Sequence, residues 1–278
     1  MTILVTGATG NVGRNVVSQL LEAGQGVRAL TRNPATANLP SAVDVVRGDL
    51  GDVTSWSAAF TGVERMFLFP SDAPEVVAAA ESAGVRRIVA LSSIAVGDAT
   101  DETDLAGYHH ANELAAERAL RASTVEWTIV RPGEFMANAL GWADVIRAGD
   151  VVRAPSGDVA GVPVDEIDTA AVAVTALLND GHAGAVHEVT GPELITPAEQ
   201  VRVLGEVLGR EIPFEALSRE ETQRYWQGFG VPQDMIDWFL TLEDAVTEPL
   251  KTVENVVGRP GSTFRAWATR HAAEFGPR

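Results

Sequence analysis

The chain has 278 residues, of which 46% are hydrophobic and 21% charged, so it is long and apolar enough to bury a large core as a globular protein. Its 38 Asp and Glu outnumber 21 Lys and Arg and give a net charge of -17, which argues against nonspecific binding to nucleic acid or to an anionic membrane surface. The absence of cysteine excludes disulfides, zinc–thiolate sites, iron–sulfur clusters and cysteine nucleophiles.

No apolar run approaches the roughly 20 residues of a membrane span. The sequence starts directly in a predicted strand without a basic segment, so we expect no signal peptide and a cytoplasmic location. Lys251 is the only lysine. Any mechanism that requires a catalytic lysine must therefore use Lys251.

The first half alternates short apolar runs with helical periods. Apolar runs of about five residues separated by helices are typical of a parallel sheet covered on both faces. The sequence therefore predicts an α/β fold with a doubly wound parallel sheet of the Rossmann type. The predicted strands are 3–6, 27–31, 43–47, 65–69, 87–91 and 126–130, and the predicted helices are 11–23, 54–60, 74–83 and 105–122.

The second half differs from the first in composition and in its pattern of predicted elements. Residues 147–163 are rich in Gly, Pro, Asp and Ala and predict loop with short strands. A helix over 168–178 should return to the sheet, followed by a strand over 186–190. Further helices are predicted over 197–208, 219–226, 232–242 and 263–275. We expect a dinucleotide-binding domain over 1–153 and a smaller α/β substrate-binding portion over 154–278, of which about 165–190 returns to the Rossmann sheet.

A glycine-rich motif, Thr6-Gly7-Ala8-Thr9-Gly10-Asn11-Val12-Gly13, separates the first strand from the first helix. Gly7 permits a tight turn, Gly10 lets the backbone approach a pyrophosphate, and Gly13 lets the helix pack closely on the strand. The free N–H groups at the helix start then face the anion. We interpret the motif as a dinucleotide-binding turn rather than an ordinary glycine-rich turn. Its predicted cofactor-binding residues are Gly7, Thr9, Gly10, Asn11, Val12 and Gly13.

Arg32 follows the second strand, where an NAD-preferring site usually has Asp or Glu for the ribose 2′-hydroxyl. The planar guanidinium of arginine suits a 2′-phosphate. The sequence therefore predicts NADP(H) as the cofactor, with Arg32 as the discriminating residue. The alternative is a solvated surface arginine.

Further cofactor contacts are expected where other strands end, because ligands of such sheets lie beside the carboxyl ends of the strands. Asp49 follows the third strand and has an acceptor for the adenine amine, with Leu50 packing on the ring; the alternative for Asp49 is a cap on the next helix. The remaining predicted cofactor-binding residues are Phe69, Ser71, Ser92 and Pro132.

Together these features resemble the atypical short-chain dehydrogenase/reductases, and within them the NmrA-like NAD(P)H-binding family, which includes quinone oxidoreductase and triphenylmethane reductase. The resemblance covers almost the whole chain. It implies a Rossmann domain with a small C-terminal substrate domain and an NAD(P)H cofactor. The segments that carry it are 6–13, 31–34, 48–50, 127–138, 165–170, 188–193 and 252–275.

The chain departs from the Tyr-x-x-x-Lys pair that typical members of this superfamily carry on one helix. Tyr108 has Asn112 four residues on, and His109 has Glu113. Without a neighbouring lysine, Tyr108 keeps a pKa near ~10 and is a poor base, although it can donate a proton or a hydrogen bond. We predict Tyr108 and His109 as catalytic candidates, a solvated helix start being the alternative for the histidine. Adjacent histidines diverge on a helix, so no metal site is predicted.

The predicted function is an NADPH-dependent oxidoreductase that transfers hydride to a small, apolar, conjugated acceptor such as a quinone or an enone. Such an acceptor spreads the arriving charge, so it depends less on a tyrosine–lysine pair. A noncatalytic NADP(H)-binding redox sensor of the NmrA type remains an alternative, and so does a ketone or imine reductase. The expected partner is a small-molecule substrate, and the expected state is a monomer or homodimer. The predicted substrate-pocket residues, for which hydrophobic core is the alternative, are Ser93, Phe135, Met136 and Trp142.

Overall fold

The computed structural model describes residues 1–70, 73–99, 110–155, 157, 159–242 and 248–276. The described residues divide into two compact units. The first comprises Met1–Gly133, Glu166–Val189 and Thr252–Arg259, and the second comprises Glu134–Asp165, Thr190–Lys251 and Pro260–Arg278.

The first unit is built around a parallel sheet of seven strands in the order β3-β2-β1-β4-β5-β6-β8. This order confirms the doubly wound fold predicted from the sequence. The strands are β1 (Thr2–Val5), β2 (Gly26–Thr31), β3 (Asp44–Arg47), β4 (Arg65–Leu68), β5 (Arg87–Leu91), β6 (Glu126–Pro132) and β8 (Ala185–Val189).

Helices cover both faces of this sheet. One face packs against α2 (Trp56–Phe60), α3 (Ala73–Ser82) and α4 (Ala111–Ala122) through a core that includes Leu68, Ile88 and Leu120. The other face carries α1 (Asn11–Glu22) and α6 (Glu166–Leu178), which pack against each other. The inner strand β5 is buried along its whole length, as expected for a strand covered on both sides. A short helix, α10 (Thr252–Val257), packs against α6 and β8.

The second unit has its own hydrophobic core, in which Ile146, Leu204, Phe264 and Trp267 are buried. A two-stranded parallel sheet pairs β7 (Val152–Ala154) with β9 (Phe214–Ala216). The helices of this unit are α5 (Ala143–Ala148), α7 (Pro197–Leu208), α8 (Arg219–Gly228), α9 (Gln233–Leu242), α11 (Phe264–Arg270) and α12 (Ala272–Phe275).

Most element positions match the predictions within two residues, and the differences have local reasons. The helix predicted over 105–122 begins at Ala111, because His110 has non-helical dihedral angles and is the N-cap residue; 105–109 lie outside the described residues. The helix predicted over 263–275 is interrupted at His271 and forms two short helices. Helices α5 and α10 and strand β9, which are only three to six residues long, were not predicted from the sequence.

The boundary between the units lies at Gly133 instead of the expected Arg153. Residues 134–153 belong to the second unit because Met136, Ile146 and Val152 are buried in its core. The expected return to the sheet occurs over Glu166–Val189, and a second return, over Thr252–Arg259, was not predicted. None of the described helices has both the length and the apolar character that crossing a bilayer requires.

Candidate active site

The glycine motif forms a tight turn between β1 and α1. Gly7 has φ +61°, in the left-handed region that favours glycine, and its carbonyl accepts a hydrogen bond from the N–H of Gly10 at 3.0 Å. A Cβ on Gly13 would lie 2.1 Å from the carbonyl oxygen of Gly7. Helix α1 therefore approaches the turn at a distance that only glycine permits at position 13.

The start of α1 presents backbone amides rather than side chains. Gly10 is the N-cap residue and has no capping side chain. The first N–H groups of an α-helix have no acceptor within the helix, and together with the helix dipole they favour an anion. Nearby polar side chains satisfy carbonyls instead: Arg14 donates to the carbonyl of Thr9 and Asn15 to that of Asn11, both at 2.8 Å. The turn therefore fits a phosphate-bearing ligand.

A cavity of about 340 Å³ lies beside this turn, within the range of small-molecule sites. The residues that line it come from the carboxyl ends of the first four strands. Six of its residues belong to the predicted cofactor set: Gly7, Thr9, Arg32, Asp49, Leu50 and Phe69. Four others were not in that set: Thr6, Leu30, Thr31 and Gly48.

Thr6 fixes the wall formed by Phe69. Its hydroxyl accepts a hydrogen bond from the N–H of Phe69 at 2.7 Å and lies 3.2 Å from the carbonyl of Phe67, to which it donates. Phe69 is 45% exposed, and a Cβ on Gly7 would lie only 2.9 Å from its Cβ. The aromatic ring is thus held open to the cavity directly beside the glycine turn.

Arg32 follows β2 and is exposed at the cavity wall. It forms no ion pair with any residue in the described ranges. Arg28, which lies on β2 itself, differs from Arg32, since it pairs with Asp44 at 2.7 Å. The guanidinium of Arg32 is therefore open to a ligand anion.

Asp49 is also exposed at the cavity, after β3. Its carboxylate accepts from the N–H of Gly51 at 3.1 Å, which forms a local turn rather than a helix cap. The capping position belongs to Asp52, whose carboxylate accepts from the N–H of Thr54 at 3.0 Å. A second oxygen of Asp49 therefore remains for a ligand donor.

The carboxyl ends of β5 and β6 are held together by a buried ion pair. Glu117 on α4 is 2% exposed and forms a two-pronged ion pair with Arg131, with both N–O distances at 2.8 Å. The hydroxyl of Ser92 donates to the same carboxylate at 2.6 Å. Burial by itself raises the pKa of Glu117, but the hydrogen bonds from Arg131 and Ser92 outweigh it and hold that pKa below its ordinary value. Neither Glu117 nor this ion pair was predicted from the sequence.

The other predicted residues of these strand ends are placed as follows. Pro132 is buried at the end of β6. Ser93 is half-buried, and its hydroxyl oxygen accepts from the N–H of Ala95 at 3.2 Å. The hydroxyl proton of Ser93 is not used in that contact.

The catalytic candidates Tyr108 and His109, and the predicted cofactor contact Ser71, lie outside the described residues. Their roles stay predictions. The neighbouring His110 lies 3.9 Å from the carboxylate of Glu113, and both side chains are largely buried. Burial raises the pKa of Glu113, but His110 and the backbone N–H of Glu113 together outweigh that effect, so the pKa is lowered overall.

The remaining predicted substrate residues lie in the second unit. Phe135 and Trp142 are half-buried, whereas Met136 is 1% exposed within the hydrophobic core. This placement favours the core alternative for Met136, because the turn over Met136–Trp142 directs its side chain inward. Lys251, the only lysine, is exposed and also belongs to the second unit. No group of three or more acidic or histidine side chains in the described ranges is arranged to hold a metal ion.

Comparison with known proteins supports the interpretation of the cavity. Residues 7–180 match the model of the NAD(P)H-binding family. The (4-alkanoyl-5-oxo-2,5-dihydrofuran-3-yl)methyl phosphate reductase of Streptomyces griseus is 41% identical over 286 aligned residues, which cover 99% of each chain. The NAD(P)H azoreductase of Xenophilus azovorans is 34% identical over 99% of each chain.

A solved structure agrees with these relatives. The NADPH-dependent quinone oxidoreductase of Escherichia coli superposes with a TM-score of 0.78 at 25% identity, over 96% of this chain and 98% of that one. The matched family model begins within the glycine turn, at Gly7, and spans the ends of β2 to β6. The chain therefore belongs to the NAD(P)H-binding family of atypical short-chain dehydrogenase/reductases, and it is an NAD(P)H-dependent oxidoreductase.

Proposed function

We propose that the chain is an NADPH-dependent reductase of small, apolar, conjugated acceptors. The observation that carries this proposal is the cavity in which the glycine turn meets Arg32. A guanidinium at the end of β2 suits a 2′-phosphate, whereas a carboxylate there suits the free ribose hydroxyl of NADH. The tight glycine turn, in which a Cβ on Gly13 would collide with the carbonyl of Gly7, and the exposed ring of Phe69 fit the coenzyme's pyrophosphate and flat rings.

The acceptor class is inferred from the relatives and from the missing lysine. The Streptomyces griseus relative is named for an unsaturated lactone that carries an alkanoyl group and a phosphate ester, and the Xenophilus azovorans relative for azo compounds. Both are conjugated systems that spread an arriving negative charge. Because Lys251 is the only lysine, the chain has none within the helix that carries the pair in typical members. We therefore place enones first among the acceptors, and quinones and azo compounds after them.

The bound coenzyme supplies the hydride, so the residues of the chain have to orient the acceptor and stabilise the charge that develops on it. Ser93 supports this role, because its oxygen is fixed by the N–H of Ala95 and its hydroxyl proton remains for an acceptor carbonyl. Tyr108 and His109 are the proposed proton donors. The proposal also includes a cytoplasmic monomer or homodimer, which cell fractionation and light scattering can check.

The test is NADPH oxidation, followed at 340 nm, with a panel of acceptors: an alkanoyl butenolide, 2-cyclohexenone, menadione and methyl red. We expect turnover with at least one member of the panel, and a higher kcat/KM for NADPH than for NADH. Arg47→Ala, which removes an exposed arginine on β3 that does not line the cavity, is a matched control for Arg32→Ala. NADPH binding without turnover across the panel contradicts the reductase proposal and favours a redox sensor.

A further inference from the structure

The ion pair between Glu117 and Arg131 connects three segments at the carboxyl edge of the sheet. The carboxylate of Glu117, on α4, accepts from the hydroxyl of Ser92, which directly follows β5. Arg131 lies near the end of β6, and its third donor position bonds the carbonyl of Gly97 at 2.8 Å. Gly97 has φ +52° and ends the short turn that follows Ser93. One buried carboxylate thereby fixes the ends of β5 and β6 and the turn between them.

Glu117, Arg131 and Ser92 use most of their hydrogen-bond donors and acceptors in contacts with one another. Glu117 and Arg131 are 2% and 8% exposed, and Ser92 is 6% exposed. A serine hydroxyl has one proton, and Ser92 donates it to Glu117 at 2.6 Å. Ser92 therefore offers only lone pairs to a ligand, and the orientation of these lone pairs depends on Glu117.

The charge of Glu117 is secured by its surroundings. The lowered pKa keeps the carboxylate ionised at neutral pH, so it stays an acceptor for both Ser92 and Arg131. Arg121 approaches the same carboxylate at 3.3 Å from the solvent side. The arrangement is a charged hydrogen-bond network whose geometry is set by a planar fork, and such networks depend on each member.

We propose that Glu117 and Arg131 are positioning residues: their ion pair sets the ends of β5 and β6, with Ser92 between them, against the nicotinamide half of the coenzyme. This inference rests on the proposed NADPH-dependent function. The adenine half is expected at the cavity formed by the other strands, where Arg32 and Asp49 lie. Loss of the ion pair should therefore affect the two halves of the coenzyme differently.

The molecule contains a matched control at the opposite edge of the same two strands. Arg87 begins β5 and is also 8% exposed. It pairs with Glu126, which begins β6, and with Asp180, both at 2.6 Å. Arg87→Lys removes a planar fork from the amino ends of β5 and β6, and Arg131→Lys removes one from their carboxyl ends.

The experiment measures the affinity of the purified full-length variants for NADPH and for adenosine 2′,5′-bisphosphate, a probe that contains only the adenine half. In Glu117→Gln and Arg131→Lys we expect the Kd for NADPH to rise at least tenfold, while the Kd for the bisphosphate stays within twofold of wild type. Arg87→Lys should leave both constants within twofold, even where it lowers the melting temperature. With an active acceptor, kcat at saturating NADPH should fall at least tenfold in the first two variants only.

Three results would overturn the proposal: an unchanged Kd for NADPH, an equal loss of affinity for both ligands, or the same loss in Arg87→Lys. Where Glu117→Gln does not fold, Arg131→Lys decides, and its retained affinity for the bisphosphate shows that the cavity is intact. If wild type shows no turnover with any acceptor, the proposed reductase function fails. The binding comparison still tests the positioning role in that case.

Discussion

The two halves of the sheet's carboxyl edge are built by different physical means. At the ends of β1 to β4 neighbouring atoms approach glycines 7, 13 and 48 so closely that a Cβ would collide with them, and Arg32 and Asp49 are exposed at a cavity. At the ends of β5 and β6 the chain fills space with a buried ion pair between Glu117 and Arg131. The first half can bind a ligand because its charged side chains are exposed at the cavity. The second half is held rigid by an ion pair whose charges are costly to bury.

The largest effect is expected on stability from Glu117→Ala. Without Glu117, the buried Arg131 keeps only a longer contact with the half-exposed Glu188, at 3.8 Å. Breaking a buried ion pair by removing one partner costs about 3–5 kcal/mol. Glu126→Ala is the matched control, because the side chain of Glu126 is 54% exposed and Asp180 still pairs with Arg87; there we expect a loss of about 0–1 kcal/mol. Urea unfolding measures both, and equal losses would mean that burial does not distinguish the two ion pairs.

The contrast sharpens with Arg32→Ala, which should act on coenzyme choice and leave stability unchanged. A charge-assisted hydrogen bond to a phosphate contributes about 1.5–3 kcal/mol, so the affinity for NADPH should fall about 10- to 150-fold. Affinity for NADH, which has no 2′-phosphate, should change by less than about threefold on the same reasoning. Calorimetric titration with both coenzymes checks this, and Arg47→Ala should reproduce neither change.

Gly13→Ala tests whether the glycine turn requires a residue without a side chain at position 13. The added Cβ would lie 2.1 Å from the carbonyl oxygen of Gly7, which is backbone and cannot move aside by itself. We expect a loss of stability of about 1–3 kcal/mol, as for other overpacked sites, together with a clear loss of coenzyme affinity as the turn shifts. Gly141→Ala, where no atom lies within 4 Å of the added Cβ, should change neither quantity. A normal affinity in Gly13→Ala would show that the turn tolerates a side chain.

The features at the ends of β1 to β4 can be predicted from the sequence better than those at the ends of β5 and β6. The glycine turn and the arginine after β2 are local signals, because each depends on residues a few positions from a predicted strand. Glu117 and Arg131 are 14 residues apart, on a helix and a strand, and neither has a local pattern that distinguishes it from a surface charge. Only the packing of α4 against β5 and β6 brings them together.

The second unit shows the same limit. Met136 follows a strand end and is apolar, which fits a pocket wall and a hydrophobic core equally well. The turn over Met136–Trp142 and the helix Ala143–Ala148 decide the matter, because both contribute to the second core. These short elements have too few residues for a clear helical period, so the unit boundary at Gly133 could not be located from the sequence.

The smallest effect we predict is a pH dependence of the buried ion pair. The pKa of Glu117 is lower in the folded protein than its ordinary value of 4.5. Its ionisation therefore stabilises the fold fully above about that ordinary value, and this stabilisation is lost as pH falls through the folded pKa.

Many other carboxylates titrate in the same range, so the informative quantity is the difference in free energy of unfolding between wild type and Glu117→Gln. We expect that difference to be constant from pH 7 down to about 5.5 and to narrow below pH 4.5, since a protonated Glu117 also lacks the charge that Arg131 needs. Urea unfolding across this range measures it. A difference that does not change with pH would show that the shape of the Glu117 side chain, and not its charge, holds the ends of β5 and β6.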